Sequence, residues 1–374
     1  MGGGLLQLVA YGAQDVYLTG NPQITFFKVV YRRHTNFSIE SIQQTFNGNA
    51  TLGQRVTCQI SRNGDLVHKL YLQATLTTTA IGTLNAYAGF RLIKQVEVEI
   101  GGQMIDRQYG EWMYIWNELT LPEGKKEGFG KMISKTGLAN PGSEDIRTVY
   151  VPLEFWFCRN IGLALPLIAL QYHEVKINLT LGESLGDGVT LSAVELWADY
   201  IFLDTDERRR FAQLSHEYLI EQVQFTGGES IADSNPGSGA IDVTTKSKLS
   251  FNHPVKELVW VNKSADFTFS GTTDFQLQLN GNDRFAKRDA KYFTHVQPYQ
   301  HHENIPDGKD IHVYSFALKP EEHQPSGTLN MSRIDTATAI VGTNGVGPGT
   351  LNMYAVNYNV LRILSGMGGL AYSN

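Results

Sequence analysis

Apolar and polar residues alternate along much of this chain, and one alternating stretch occurs twice with the same ending. Successive side chains of a strand point to opposite faces, so this alternation predicts β-strands that are buried on one side. The first stretch, Val96–Ile100, runs into Gly101-Gly102, and the second, Phe275–Leu279, runs into Asn280-Gly281. An aspartate followed by an arginine comes shortly after each turn. The repeated order predicts that one β domain has been duplicated within the chain.

Further matches occur in the same order in the two halves, and their spacing changes along the chain. The offset is 276 − 97 = 179 residues at the repeated strand, but 354 − 197 = 157 residues at Trp197 and Tyr354. The remaining matches pair Glu40–Gln43 with Glu221–Gln224 and Pro166 with Pro325. The shorter offset predicts an insertion in the first half, where 111–119 has the character of a short helix. We expect a flexible, exposed Lys-rich loop at 124–132 after this helix, and no comparable helix in the second half.

Short alternating stretches and turn signals recur throughout both halves, with about seven or eight strands in each. This pattern is typical of a sandwich or a barrel. Eight strands in two Greek keys form a jelly roll, so we predict an all-β protein of two tandem eight-stranded jelly rolls, a double jelly roll. Immunoglobulin-like sandwiches and two unrelated β domains are the alternatives. In the first half, Asn63-Gly64 predicts a type I′ hairpin between strands at 56–60 and 66–76.

The same pattern divides the chain into four regions. We predict an N-terminal arm at 1–22, a first jelly roll at 23–204 with a helical insertion around 108–147, a linker at 205–216, and a second jelly roll with a C-terminal tail at 217–374. The arm is rich in Gly and Leu. We expect it to dock on its own domain or on a neighbouring chain, because large apolar patches are rarely left in water.

Composition and charge exclude several classes of function. Charged residues make up 18% of the chain, below the usual share of about 25%. The net charge is −6, and the basic cluster Arg208–Arg210 directly follows acidic residues, so we predict no direct nucleic-acid binding. Cys58 and Cys158 lack metal-binding spacing and are expected to be reduced thiols. We expect neither a leader nor a membrane-spanning segment.

The candidate catalytic and metal-binding residues have unsuitable spacing. Metal-binding jelly rolls place histidine ligands two residues apart on one face of a strand. The histidine-rich region instead has adjacent histidines, which we expect to be loop residues in solvent; its members are His295, His301, His302, Glu303, His312 and His323. The loop at 124–132 lacks the glycine and hydroxyl of a P-loop, and His173-Glu174 has no nucleophile beside it. We predict no enzyme activity, no catalytic residue, no metal and no cofactor.

Five Asn-x-Ser/Thr sequons are the remaining candidate sites. Such sequons are glycan acceptors only when they are exposed and meet the glycosylation machinery. The candidates are Asn36, Asn49, Asn178, Asn262 and Asn330.

Six sequence blocks, spread from one end of the chain to the other, resemble a known family. They are Gly4–Pro22, Ile60–Leu66, Pro166–Val175, Asp199–Thr205, Phe251–Pro254 and Asn357–Tyr372. The chain resembles the major capsid proteins of nucleocytoplasmic large DNA viruses, in particular those of viruses that infect algae. One departure is the short stretch between Pro254 and Gln278, where algal-virus relatives often have long loops that form the outer tower of the capsomer.

The resemblance implies a double jelly roll that self-assembles into pseudo-hexameric homotrimers. Three chains with two similar domains each would form a nearly hexagonal capsomer that tiles an icosahedral shell. The implied location is the virion of a large dsDNA virus, assembled in the host cytoplasm. The implied partners are other copies of the chain and minor capsid proteins, and an internal viral membrane is expected nearby without being crossed. The alternatives are a minor capsid or vertex protein of such a virus, and a carbohydrate-binding or cupin-like jelly-roll protein.

Overall fold

The computed structural model describes residues 3–235 and 239–373; residues 1, 2 and 374 of the predicted arm and tail lie outside this range. The helices are α1 (Gly3–Val9), α2 (Val16–Thr19), α3 (Ala88–Arg91), α4 (Gly110–Thr120), α5 (Glu123–Met132), α6 (Trp156–Arg159), α7 (Thr205–Gln213) and α8 (Gln297–His301). A π-helical stretch, Tyr292–Val296, directly precedes α8, and two 3-10 turns lie at Ile161–Leu163 and Met331–Arg333.

The strands of the first half are β1 (Phe37–Gln44), β2 (Arg55–Gln59), β3 (Leu66–Leu84), β4 (Ile93–Ile100), β5 (Gln103–Tyr109), β6 (Leu138–Ala139), β7 (Asp145–Pro152), β8 (Leu165–Pro166), β9 (Val175–Leu181) and β10 (Gly186–Leu203). Those of the second half are β11 (His216–Phe225), β12 (Glu229–Ile231), β13 (Asp242–Leu249), β14 (Pro254–Ala265), β15 (Thr268–Phe269), β16 (Thr272–Leu279), β17 (Asn282–Asp283), β18 (Arg288–Asp289), β19 (His312–Ser315), β20 (Leu329–Asn330), β21 (Ala337–Asn344), β22 (Gly349–Leu364) and β23 (Met367–Leu370).

The chain forms two separate compact units, one ending at Asn36 and the other beginning at Phe37. The first unit contains α1 and α2, and its large apolar side chains are exposed, for example Leu8 at 78% and Phe27 at 97%. The predicted arm at 1–22 falls within this unit.

The second unit contains two jelly rolls, and the eight principal strands of the first correspond to eight strands of the second. In the first, sheet A has the order β1-β10-β3-β7 and sheet B the order β2-β9-β4-β5. In the second, sheet A′ has the order β11-β22-β14-β19 and sheet B′ the order β13-β21-β16-β17. All of these pairings are antiparallel. The predicted double jelly roll is confirmed, and its two halves share one topology.

The repeated glycine turns occupy equivalent places in the two halves. Gly101 and Gly102 have φ values of 59° and 86° and join β4 to β5. Asn280 and Gly281 have φ values of 50° and 78° and join β16 to β17. Two consecutive positive φ angles are what a type I′ hairpin turn requires, which explains the glycines.

Burial along the strands differs between sheets A and A′. In β3, buried side chains alternate with more exposed ones over most of its length, as expected of a sheet with one covered face. In β14, every residue from Val255 to Asn262 is buried, and β22 is buried from Leu351 to Asn359. Sheet A′ is therefore covered on both faces, which means that another part of the chain packs against its outer face.

The predicted hairpin at Asn63-Gly64 is wrong. Strand β2 pairs with β9 in sheet B, whereas β3 pairs with β10 in sheet A, so this turn carries the chain between sheets. Gly64 is required there for space, because a Cβ atom at this position would lie 2.8 Å from the Cβ of Tyr200. The dipeptide Asn-Gly marks a turn but does not fix which strands pair.

Two expectations about helices are also wrong. The Lys-rich segment expected to be a flexible loop is helix α5, in which Lys126 pairs with Glu123 and Lys131 with Glu127 one turn apart. The second half was expected to lack a counterpart of the predicted helix, now α4. It has one, because residues 290–301 form a continuous helical segment after β18, as α4 does after β5. The linker region contains α7, whose N-cap is Asp204. The boundaries assigned to the four regions remain predictions.

Candidate functional site at the junction of the two jelly rolls

Helix α4 covers the outer face of sheet A′ and joins the two jelly rolls. Trp112 is 1% exposed, and its ring lies 5.3 Å from that of Tyr354 on β22. Beside it, the ring of Tyr109 lies 5.1 Å from that of Phe225 on β11. Aromatic pairs at these separations add to the stabilisation that burial provides. The helix was predicted from the sequence, but its role in this junction was not.

The outer face of sheet A′ belongs to the same apolar cluster as the core of the first jelly roll. Val259, Val261 and Val356 are completely buried in that cluster, while the interior of the second jelly roll forms a separate one. Burying apolar area contributes roughly 25 cal/mol per Å². The junction is therefore a continuation of the first core, which holds the two domains together.

Several polar groups of the junction are paired across it. The carboxylate of Glu111 on α4 accepts hydrogen bonds from the Asn352 amide and, at 3.0 Å, from the Tyr354 hydroxyl, and it lies 3.1 Å from the Lys263 ammonium. From the second jelly roll, the Lys309 ammonium donates a hydrogen bond to the hydroxyl of Tyr114 on α4, at 2.9 Å. Buried polar groups cost free energy unless they are paired, so these contacts fix how the domains face each other.

A carboxylate on β11 lies at the centre of a buried ionic cluster. Glu221 lies 2.7 Å from the Lys256 ammonium and 3.0 Å from the Arg159 guanidinium, and the His323 ring is 3.7 Å away. Burial alone would raise the pKa of Glu221, but Arg159, His323 and Lys256 together hold it at about 2. Burial lowers the pKa of Lys256, and Glu221 opposes that shift. The charges lie on both jelly rolls, since Arg159 belongs to α6 of the first.

His302 is buried between two carboxylates, contrary to the expectation of a histidine in solvent. Its Nε2 lies 3.0 Å from Glu257 and its Nδ1 lies 2.9 Å from Glu321, with its side chain fully buried. Burial would lower the pKa of His302, but Glu257 and then Glu321 raise it to about 9. The sequence contained one signal of this site, because Lys256-Glu257 interrupts an apolar stretch that runs from Val255 to Val261.

The other members of the histidine-rich region are separated from one another. His295 lies near Asp307, and His301 contacts the carbonyl of Leu318. His312 is completely buried beside Trp260, and burial lowers its pKa to about 4. Over residues 3–235 and 239–373, no three His, Cys, Asp or Glu side chains form a group that could hold a metal ion.

Replacing His302 with glutamine is expected to change how stability depends on pH. A histidine whose folded pKa is raised stabilises the fold fully below its ordinary value of 6.5, and this contribution is lost as the pH rises through about 9. The unmodified protein should therefore lose more unfolding free energy than the variant between pH 6.5 and 9, as measured by thermal unfolding at several pH values. His301→Gln is the matched control, because His301 contacts the carbonyl of Leu318 and no carboxylate among residues 3–235 and 239–373. Parallel pH profiles for the protein and His302→Gln would contradict the assignment.

The five sequons differ in accessibility. Asn36, Asn49 and Asn330 are exposed. Asn178 is 6% exposed and donates its amide hydrogen to Glu99, and Asn262 is 2% exposed and donates to the carbonyl of Ser270. A glycan would displace these hydrogen bonds in a space that is already filled. We therefore restrict the glycosylation proposal to the three exposed sequons; glycopeptide mapping that found sugar on either buried asparagine would contradict it.

The remaining sequence candidates have structural contacts. His173 Nδ1 contacts the backbone of Gly368, so the residue holds the C-terminal strand β23 rather than a reacting group. Cys58 and Cys158 are free and buried, and burial raises the pKa of Cys58 to about 11. Within the described ranges, no helix is long and apolar enough to cross a membrane.

Comparison with known proteins identifies two family models that together span most of the chain. "Major capsid protein N-terminus" matches residues 25–204, and "Large eukaryotic DNA virus major capsid protein" matches residues 207–369. The chain is 57% identical to the major capsid protein of Pyramimonas orientalis virus over the full length of both. It is 45% identical to that of Paramecium bursaria Chlorella virus 1, again with both chains covered completely.

A solved structure agrees with these sequence matches. A chain in a quasi-atomic model of the PBCV-1 virus capsid superimposes with a TM-score of 0.82 at 38% identity, covering 94% of this chain and 100% of that one. The resemblance seen in the six sequence blocks is confirmed. The chain belongs to the family of major capsid proteins of large eukaryotic DNA viruses.

Proposed function

We propose that this chain is the major capsid protein of a large dsDNA virus, and that it self-assembles into pseudo-hexameric homotrimeric capsomers. The observation that carries the proposal is the buried junction between two jelly rolls of identical topology. The junction holds two similar domains of each chain in a fixed arrangement, as a nearly hexagonal capsomer of three chains requires. The full-length relatives, which are named major capsid proteins, support the same role.

The mass of the purified protein in solution tests this proposal. We expect a stable particle near three times 41.6 kDa, because heterologous contacts between equivalent domains close into a ring. A strict monomer at high protein concentration would contradict the trimer.

The residues that resembled catalytic or metal-binding groups support a structural role without enzyme activity. His302 is held between Glu257 and Glu321, and His173 contacts the backbone of the last strand. Relatives of the chain are capsid proteins. Measured metal in stoichiometric amounts in the purified protein would favour the cupin-like alternative.

We further propose that the protein resides in the virion shell after assembly in the host cytoplasm, in contact with minor capsid proteins and near an internal membrane. The exposed apolar side chains of the unit ending at Asn36 support contact with other components of the particle, because water is an unfavourable neighbour for them. Cross-linking of purified virions tests this extension, and an N-terminal unit without cross-links to any other component would contradict it. A minor capsid or vertex role is distinguished by abundance, since the major protein must dominate the particle.

A further inference from the structure

An amine and a carboxamide meet at one carboxylate beneath α4. The Oε2 atom of Glu111 lies 3.1 Å from the Nζ atom of Lys263 on β14. The Oε1 atom of Glu111 accepts a hydrogen bond from the Nδ2 atom of Asn352 on β22. The two nitrogen atoms therefore lie at opposite ends of the same carboxylate, an arrangement that suits a proton transfer from one nitrogen to the other.

The register of sheet A′ brings the lysine and the asparagine to the same face. In the antiparallel pair β14–β22, Lys263 lies opposite Thr350, and Asn352 lies opposite Val261. Lys263 and Asn352 are thus diagonal neighbours, whose Cα atoms are roughly 7–8 Å apart, within reach of a long side chain. Both point away from the interior of the second jelly roll, as Val261 does.

The site is largely closed to water. Asn352 is 6% exposed, and the side chains of Glu111 and Lys263 are 11% and 29% exposed. The Tyr354 hydroxyl donates to Glu111 at 3.0 Å, and the ring of Tyr354 packs against that of Trp112. Where water is excluded, the lysine is the nucleophile nearest to the amide, and its partial exposure leaves a path for a small leaving group.

We propose that Lys263 and Asn352 form an intramolecular isopeptide bond, with Glu111 as the catalytic residue. The Nζ atom of Lys263 loses a proton to Glu111 and attacks Cγ of Asn352. The Nζ–Cγ bond forms, the Cγ–Nδ2 bond breaks, and Glu111 delivers the protons taken from Nζ to the leaving Nδ2. One lysine ammonium and one carboxamide become one secondary amide and one ammonium ion, and the carboxylate of Glu111 is regenerated.

The charges around Lys263 control how fast this bond forms. Its ammonium also lies 2.7 Å from Asp266, whose side chain is 60% exposed. Burial would lower the pKa of Lys263, but Glu111 and Asp266 raise it above its ordinary value. Because only the neutral amine is a nucleophile, the bond should form slowly at neutral pH and faster as the pH rises. Asp266→Ala should accelerate the reaction, since it removes one of the carboxylates that keep the amine protonated.

The bond links the two central strands of sheet A′, in which β22 and β14 are neighbours. It closes a loop that spans 352 − 263 = 89 positions of the chain. A covalent link of this kind restricts the unfolded chain and so stabilises the folded one. The sheet that carries the junction would keep these strands together even when other parts of the chain open. The bond lies within one chain, so it does not depend on the proposed trimer.

The intact mass of the full-length protein tests the proposal. After prolonged incubation at mildly alkaline pH, the protein should lose the mass of one ammonia molecule, and tryptic digestion should give a branched peptide that joins positions 263 and 352. Lys263→Arg and Glu111→Gln should each keep their full mass. Lys309→Arg is the matched control and should still lose ammonia, because Lys309 pairs with Glu118 and two tyrosine hydroxyls instead.

Asn352→Asp identifies the carbonyl that is attacked. This variant should lose one water molecule from its own mass, since a carboxyl group then supplies the same Cγ atom. Circular dichroism establishes that each variant is folded. A cyclic imide at an Asn-Gly turn such as Asn280-Gly281 also releases ammonia, but that loss would persist in Lys263→Arg and give no branched peptide. Either that result or an unmodified protein that keeps its full mass would overturn the proposal and leave the proposed function untouched.

Discussion

Replacing Glu221 with alanine is expected to lower the free energy of unfolding by about 3–5 kcal/mol, the usual cost of removing one partner from a buried ion pair. Lys256 is completely buried, and Glu221 is its nearest carboxylate, at 2.7 Å. The variant leaves Lys256 and Arg159 without this counter-charge, and their desolvation is no longer offset. Chemical denaturation of the protein and the variant measures the loss.

Glu217→Ala is the matched control on the same strand. Glu217 pairs with Arg362, but the two side chains are 60% and 55% exposed, so the change should cost less than about 1 kcal/mol. The double variant Glu221→Gln/Lys256→Met should recover part of the loss, since it removes the unpaired ammonium as well. Equal losses for Glu221→Ala and Glu217→Ala would contradict the central position of Glu221 in the junction.

The pairing of Glu221 also predicts how its contribution to stability changes at low pH. A carboxyl whose folded pKa is depressed stabilises the fold above its ordinary value of 4.5, and the contribution is lost as the pH falls through about 2. The difference in stability between the protein and Glu221→Ala should therefore shrink steadily below pH 4.5.

Replacing Trp112 with alanine is expected to lower the free energy of unfolding by about 3–5 kcal/mol. It should also uncouple the unfolding of the two jelly rolls. Trp112 is 1% exposed and fills the space between α4 and Tyr354, so its loss leaves a cavity in the junction itself. Thermal unfolding should change from one cooperative transition to two, because each domain keeps its own interior while the shared surface is weakened.

Trp197→Ala is the comparison at the corresponding position of the sequence repeat. Trp197 is only partly buried in the single chain, so its removal should destabilise the monomer by much less than that of Trp112. If both variants lost a similar amount of unfolding free energy, that result would contradict the assignment of Trp112 to a covered sheet face and of Trp197 to an open one.

The duplication was predictable from the sequence because it depends on local signals. The alternation of Val96–Ile100 and the paired positive φ angles at Gly101-Gly102 and Asn280-Gly281 are properties of a strand and its turn. Both signals are therefore present in the sequence wherever the hairpin is present in the structure. Partner choice is not local, which is why Asn63-Gly64 predicted a turn correctly and assigned its strands to the wrong sheet.

The junction was less predictable, since it depends on which face of each element is covered. The segment at 290–301 combines Pro298, several aromatic residues and a π-helical stretch, and this mixture has no clear helical period. His302 follows the segment in a region that reads as a loop, although Glu257 and Glu321 enclose it in the fold. Lys256-Glu257 within an apolar strand was the one signal of a buried ionic site.

The most direct measurement is a reconstruction of purified virions by electron cryo-microscopy at a resolution that identifies this chain in the shell. The expected result is a facet tiled by nearly hexagonal capsomers, each made of three copies, in which the first jelly roll of one copy meets the second jelly roll of the next. Finding the chain only at the vertices, or absent from the facets, would contradict the assignment of the duplicated jelly roll to the main shell.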